Sequence, residues 1–99
     1  MKKSLAMPKD AAEALAIQAL TFIARDGERL GRFLAATGIG PAQIRAASSE
    51  PGFMLGVLEF LGGEEAMLTD FAAEYGFEPA DVSKAALVLG GVQWEREVP

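Results

Sequence analysis

Apolar residues along this chain recur three and four positions apart, which is the spacing of one face of an α-helix. Leu15, Ala19 and Phe22 show it in the first such stretch. Glycine and proline interrupt the pattern at intervals and mark the boundaries between elements. The pattern predicts six helices, placed at Lys9–Arg25, Glu28–Thr37, Pro41–Ser48, Pro51–Leu61, Glu64–Tyr75 and Pro79–Leu89.

The pattern also nearly repeats itself at an offset of 38 residues. Residues 33–44 align with residues 71–82. Both stretches carry a glycine suited to a left-handed helix end and a proline suited to the first turn of the next helix. These turn residues are Gly38, Pro41, Gly76 and Pro79. The sequence therefore predicts an all-α fold, a compact six-helix bundle built from two three-helix pseudo-repeats, with the first and fourth helices packed together at the centre.

The chain length and these boundaries predict one domain. Its 99 residues are enough for a single hydrophobic core. We expect residues 1–7 to be a flexible lead-in and residues 92–99 to be a C-terminal tail. Between them, residues 8–91 form the helical domain, with halves at 8–48 and 51–91.

The composition argues against most enzymatic chemistry. The chain has no cysteine and no histidine, so it lacks thiolate nucleophiles, the usual general base and the commonest transition-metal ligand. No glycine-rich phosphate loop and no calcium-loop spacing occurs in the sequence. We therefore expect a protein that is not an enzyme and that has no cofactor and no metal site.

The same reading favours the cytoplasm. No apolar run reaches the length of about 18 to 20 residues that a membrane span needs. Lys2 and Lys3 resemble the start of a signal peptide, but Pro8, Lys9 and Asp10 interrupt the apolar stretch that would follow.

Charge is distributed unevenly between the two halves. Residues 1–50 carry seven basic and five acidic side chains, for a net charge of +2, whereas residues 51–99 carry two basic and nine acidic ones, for −7. This asymmetry indicates either an ordinary solvated surface or an acidic face that docks on a basic partner, which is another protein or a second copy of the chain. The candidate contact residues are Glu64, Glu65, Asp70, Glu74 and Trp94. Trp94 has an alternative role, which is to fold back over the core.

A second interpretation comes from the glycine turns. The spacing of Ala72, Gly76 and Val82 fits a DNA-binding helix-turn-helix, although any tight corner between two packed helices satisfies it. A reading helix must also supply several cations to phosphates. The third predicted helix offers Arg45 and the sixth offers Lys84, so the charges disfavour nucleic acid as a partner.

A family resemblance rests on residues 32–47, 50–53 and 57–61. These stretches resemble a small bacterial family that is catalogued only as a domain of unknown function, and the resemblance spans about residues 8–91. It supports the domain boundaries and a cytoplasmic, bacterial setting, and it implies no catalytic or binding residue. The fourth predicted helix is apolar on nearly every side, and its apolar surface is expected to exceed what six short helices can cover. We therefore expect a non-enzymatic helical protein that acts as a protein–protein interaction or adaptor module, with a helix-turn-helix nucleic-acid-binding regulator as the alternative.

Overall fold

The structure, a computed structural model, describes residues 7–50 and 52–90. This described part forms helices and contains no β-strand. The helices are α1 (Lys9–Ala24), α2 (Gly27–Thr37), α3 (Ile44–Ala47), α4 (Phe53–Gly62), α5 (Glu65–Tyr75) and α6 (Pro79–Leu89), with a 3-10 turn at Pro41–Gln43 before α3. The predicted all-α bundle is confirmed.

Two glycines end α2 and α5 in the same way. Gly38 has φ of 78° and Gly76 has φ of 79°, both in the left-handed region that side chains with a Cβ rarely adopt. Their backbone N–H groups donate to Leu34 O and Ala72 O respectively, each at 2.9 Å. The prediction that these glycines turn the chain is therefore confirmed.

The core lies among α1, α4 and α6, which pack on one another. Alanine lines the buried face of α1 at Ala12, Ala16 and Ala19, all without exposed area, and such small side chains let neighbouring helices approach closely. Contact between α1 and α4 agrees with the prediction. Contrary to the prediction, α6 shares the centre with them and buries Val82 and Ala85 there.

Aromatic side chains pack α2 and α5 against this core. The Phe33 ring of α2 lies 5.3 Å from Phe60 and 6.0 Å from Phe53, measured between ring centroids. The Phe71 ring of α5 lies 5.5 Å from Phe22 of α1. Edge-to-face pairs of this kind add to the free energy gained from burial.

The third predicted helix is shorter than expected. Instead of a continuous helix over Pro41–Ser48, the chain makes a 3-10 turn and then four residues of α-helix, and none of these residues is buried. The next helix begins at Phe53. The halves thus share the 11-residue helices α2 and α5 but differ in their third helix, and the two-repeat description of the bundle stays a prediction.

The predicted terminal segments lie mostly outside the described residues. Met7 is the exception, since it packs against the core. None of the helices in the described part combines the length and hydropathy needed to cross a bilayer. The cytoplasmic location stays a prediction from the sequence.

Candidate functional site

A groove of about 560 Å³ lies between α4 and α6. Its floor consists of the buried side chains of Leu58 and Val82. The rest of its lining comes from Leu55, Glu59, Gly62, Ser83, Ala86, Leu87 and Gly90. We call it the α4–α6 groove.

A second groove, of about 390 Å³, shares Leu55 with the first. It is lined by Lys9, Glu13, Ile17, Met54, Leu55 and Leu89. Because Leu55 lines both grooves, they form one continuous surface across three helices, which we call the α1/α4/α6 surface.

Two large apolar side chains stand exposed on this surface. Leu87 of α6 is 61% exposed and Ile17 of α1 is 53% exposed, and they are the large hydrophobic residues with the highest exposure in the described part of the chain. Half-buried Met54 and Leu55 connect them. Apolar residues scattered singly are ordinary on a protein surface, but contiguous ones mark sites of interaction.

The composition of α4 explains why apolar surface is left over. Its sequence from Phe53 to Gly62 contains one charged residue, Glu59, and is otherwise apolar or glycine. Burying one face of α4 in the core leaves the other apolar residues at the surface, because a helix exposes part of its circumference wherever no neighbour covers it.

The predicted acidic contacts are divided by the fold. Glu64, at the N-terminus of α5, forms an ion pair with Arg32 of α2, and Glu74 lies 2.7 Å from the Arg25 guanidinium. Hydrogen bonding to Glu74 raises the pKa of Arg25 above its usual value. The acidic half therefore meets the basic half within this chain.

The other predicted contacts show no such pairing. Glu65 and Asp70 are exposed, and neither forms an ion pair with another described residue. Trp94 lies outside the described residues, so both of its predicted roles stay predictions.

The arginines near the start of α2 are held by the protein itself. The Arg29 guanidinium lies 3.8 Å from the centroid of the Phe22 ring, and its Nε–H donates to Phe22 O at 3.0 Å. Asp26 caps α2 by accepting from the backbone N–H groups of Glu28, at 2.8 Å, and Arg29, at 3.4 Å. These bonds lower the pKa of the Asp26 carboxyl. A phosphate would have to compete with these contacts.

The turn between α5 and α6 resembles a helix-turn-helix corner only in its spacing. Gly76 and Pro79 stand at the predicted boundaries of the turn, and Val82 faces the core. Lys84 is the only cation of α6, and Asp81 near its start accepts a hydrogen bond from the Glu78 backbone N–H at 3.0 Å. Nucleic-acid binding stays the alternative prediction, with no further feature of the described residues in its favour.

Residues 7–50 and 52–90 contain no group of three carboxylate, histidine or cysteine side chains placed to hold a metal ion. They also contain no buried polar or charged side chain. The linings of the two grooves are mainly apolar. Another depression, of about 250 Å³ between α2 and α5, has a mainly charged lining, which consists of Glu28, Arg29, Arg32, Glu64, Ala66, Met67 and Asp70.

Neither Ile17 nor Leu87 was among the predicted site residues, and the apolar pattern did not separate the exposed face of the sixth helix from its buried face. The spacing held a signal for the correct placement. Val82, Ala85 and Leu89 follow at three and four residues and define the inner face of α6. Leu87 lies two positions from Ala85 and Leu89, which in a helix turns it far from that face.

Within residues 7–50 and 52–90, fold and surface define a small all-helical domain with a broad apolar surface across α1, α4 and α6. A family profile matches residues 9–92, and the chain belongs to that family, which is described as a protein of unknown function (DUF3572). The match covers all six helices and confirms the resemblance to a family of unknown function, while a bacterial source stays a prediction. No curated protein and no solved structure matches the chain.

Proposed function

We propose that this protein is a non-enzymatic interaction module that binds another protein through its α1/α4/α6 surface. The observation that carries the proposal is the exposure of Leu87 and Ile17 beside two apolar grooves that meet at Leu55. Covering such a surface removes apolar area from water, which is the dominant favourable contribution to most protein association.

The proposed contact surface differs from the acidic residues of α5 that the charge pattern predicted. Glu64 and Glu74 already have partners within the chain, and exposed ion pairs contribute little to affinity or stability. Apolar side chains in a groove contribute more, because a partner side chain that fills the groove is desolvated completely. We therefore assign the binding energy to the grooves.

Site-specific photo-cross-linking tests the proposal. The photoreactive residue p-benzoylphenylalanine is introduced at Leu87 and, as a matched control, at Ala73, which is exposed on α5. We expect irradiated cells that naturally produce this protein to yield a discrete adduct with another protein from position 87 and none from position 73. An adduct formed at Ala73 alone would instead make the α5 face the contact surface, and no discrete adduct at Leu87 would contradict the proposal.

A further inference from the structure

The walls of the α4–α6 groove are two matching rows of residues. Along α4 the row follows positions i, i+4 and i+7, and along α6 it has the same spacing. The first row consists of Leu55, Glu59 and Gly62 on α4. The second consists of Ser83 and Leu87 on α6 and of Gly90, the residue that follows its last turn. At a rise of 1.5 Å per residue, each row extends about 10.5 Å, which is two turns of a helix.

A groove of this form between two helices suits a third helix. Side chains on a helix form ridges along positions four apart, and the ridges of one helix pack into the grooves between those of another. The groove walls are low at Ser83, because its side chain is short, and at Gly62, because it has no side chain. A Cβ placed on Gly62 would have no heavy atom within 4 Å, so a partner backbone can approach α4 closely there.

The charge of the groove selects the partner. Glu59 is the one charged side chain in its lining; it is exposed and forms no ion pair within the described part of the chain. The chain as a whole carries a net charge of −5. A second copy would bring the same negative charge, whereas a basic partner gains from it both at Glu59 and over the wider surface.

We propose that the α4–α6 groove binds an amphipathic helix of a basic partner protein. Apolar residues of that helix at positions i, i+4 and i+7 cover Leu58 and Val82 between the side chains of Leu55 and Leu87, and a lysine or arginine at its edge pairs with Glu59. This inference rests on the proposed function and names the class of its partner, following the common recognition mode in which a helix occupies an apolar groove.

Two synthetic peptides test the inference by fluorescence anisotropy in 150 mM salt. Both are stapled 15-residue helices with leucine at i, i+4 and i+7, and they differ only in carrying lysine or glutamate at the flanking positions. We expect the wild-type protein to bind the lysine peptide at least tenfold more tightly than the glutamate peptide. Leu87→Ala and Leu87→Ser remove the apolar side chain without adding a charge that attracts lysine, and each should weaken binding of the lysine peptide about tenfold.

Charge reversal at the groove provides the sharper comparison. Glu59→Lys should weaken binding of the lysine peptide about fivefold and strengthen binding of the glutamate peptide. The matched control is Asp70→Lys, which also replaces a carboxylate by an amine, at an exposed position of α5 that lines neither groove. It should leave the ratio of the two affinities within about twofold, because salt weakens interactions between separated surface charges.

Several results would overturn the inference. Equal effects of Glu59→Lys and Asp70→Lys would show that net charge acts without the groove. Unchanged binding by both Leu87 variants would exclude the groove as the site. A solution mass twice the monomer mass of 10.4 kDa that Leu87→Glu returns to the monomer would make a second copy the occupant. Tighter peptide binding by a chain that stops at Gly90 would make residues 91–99 of the chain the occupant.

A discrete cross-link at Leu87 with no preference for the lysine peptide would overturn this inference alone and leave the proposed function standing.

Discussion

The two glycine corners of this protein begin alike and end differently. At both corners a left-handed glycine, Gly38 or Gly76, ends an 11-residue helix, and a proline follows three residues later. After Pro79 the chain forms α6, which is 11 residues long and packs in the core, whereas after Pro41 it forms a 3-10 turn and the four-residue α3 without a buried residue.

The residues that follow each proline account for the difference. At the offset of 38 residues, Ile44 and Ala47 correspond to Val82 and Ala85. The correspondence then fails, because the apolar positions 86–89 of α6 align with Ser48, Ser49, Glu50 and Pro51. Polar side chains are mostly found at the surface, so this segment is not drawn into the core as α6 is. Proline also disfavours helical structure in the residue before it.

This difference also produces the candidate site. A groove two turns long needs two helices of at least that length side by side, and α4 and α6 satisfy this requirement. The four-residue α3 is too short to form such a wall. The first corner is therefore a local turn, whereas the second turns the chain into the helix that forms one side of the groove.

The largest expected effect comes from truncating the matched apolar residues after each proline. Val82→Ala removes two carbons from a site with almost no exposure, and we expect it to lower the free energy of unfolding by about 2 kcal/mol through lost burial and the cavity left behind. Ile44→Ala removes three carbons but from a half-buried site, and we expect a loss below about 1 kcal/mol. Urea unfolding followed by circular dichroism measures both values.

A loss at Ile44 equal to or greater than that at Val82 would contradict the comparison. It would mean that the segment after Pro41 contributes to the core as α6 does, despite its short helix and exposed surroundings.

A smaller and equal effect is expected at the two glycines themselves. Gly38→Ala and Gly76→Ala both place a Cβ in the left-handed region, and neither new Cβ would have a heavy atom within 4 Å. Backbone strain alone then lowers the free energy of unfolding, by about 1 kcal/mol for each variant. The same urea titrations measure it. Losses that differ by more than about 0.5 kcal/mol would show that the two corners are not equivalent even in their turns.

The helices could be predicted from the sequence where local chemistry decides. Gly38 and Gly76 end their helices because left-handed backbone favours glycine, and this preference needs no knowledge of the rest of the fold. The central place of α6 could not be predicted in this way. It depends on which helices cover Val82 and Ala85, and an apolar stripe indicates that a face is buried without naming its neighbour.

The candidate site was less predictable than the fold. The sequence analysis inferred that the fourth helix has more apolar surface than its neighbours can cover, and the half-buried Leu55 between two grooves agrees with this. The predicted contact residues were nevertheless mainly acidic, because charge asymmetry is visible in a sequence. The ion pairs of Arg25 with Glu74 and of Arg32 with Glu64 join residues far apart in the chain, so only the fold shows that these charges have partners.

The central claim is that the α4–α6 groove is the surface that binds, and amide chemical shifts test it most directly. The 15N-labelled protein is titrated with the stapled lysine peptide. We predict that the largest shifts fall on Leu55, Glu59 and Leu87, while Ala35 of α2 and Ala73 of α5 stay unchanged. Shifts that centre on α2 and α5, or that spread evenly over all six helices, would contradict the claim.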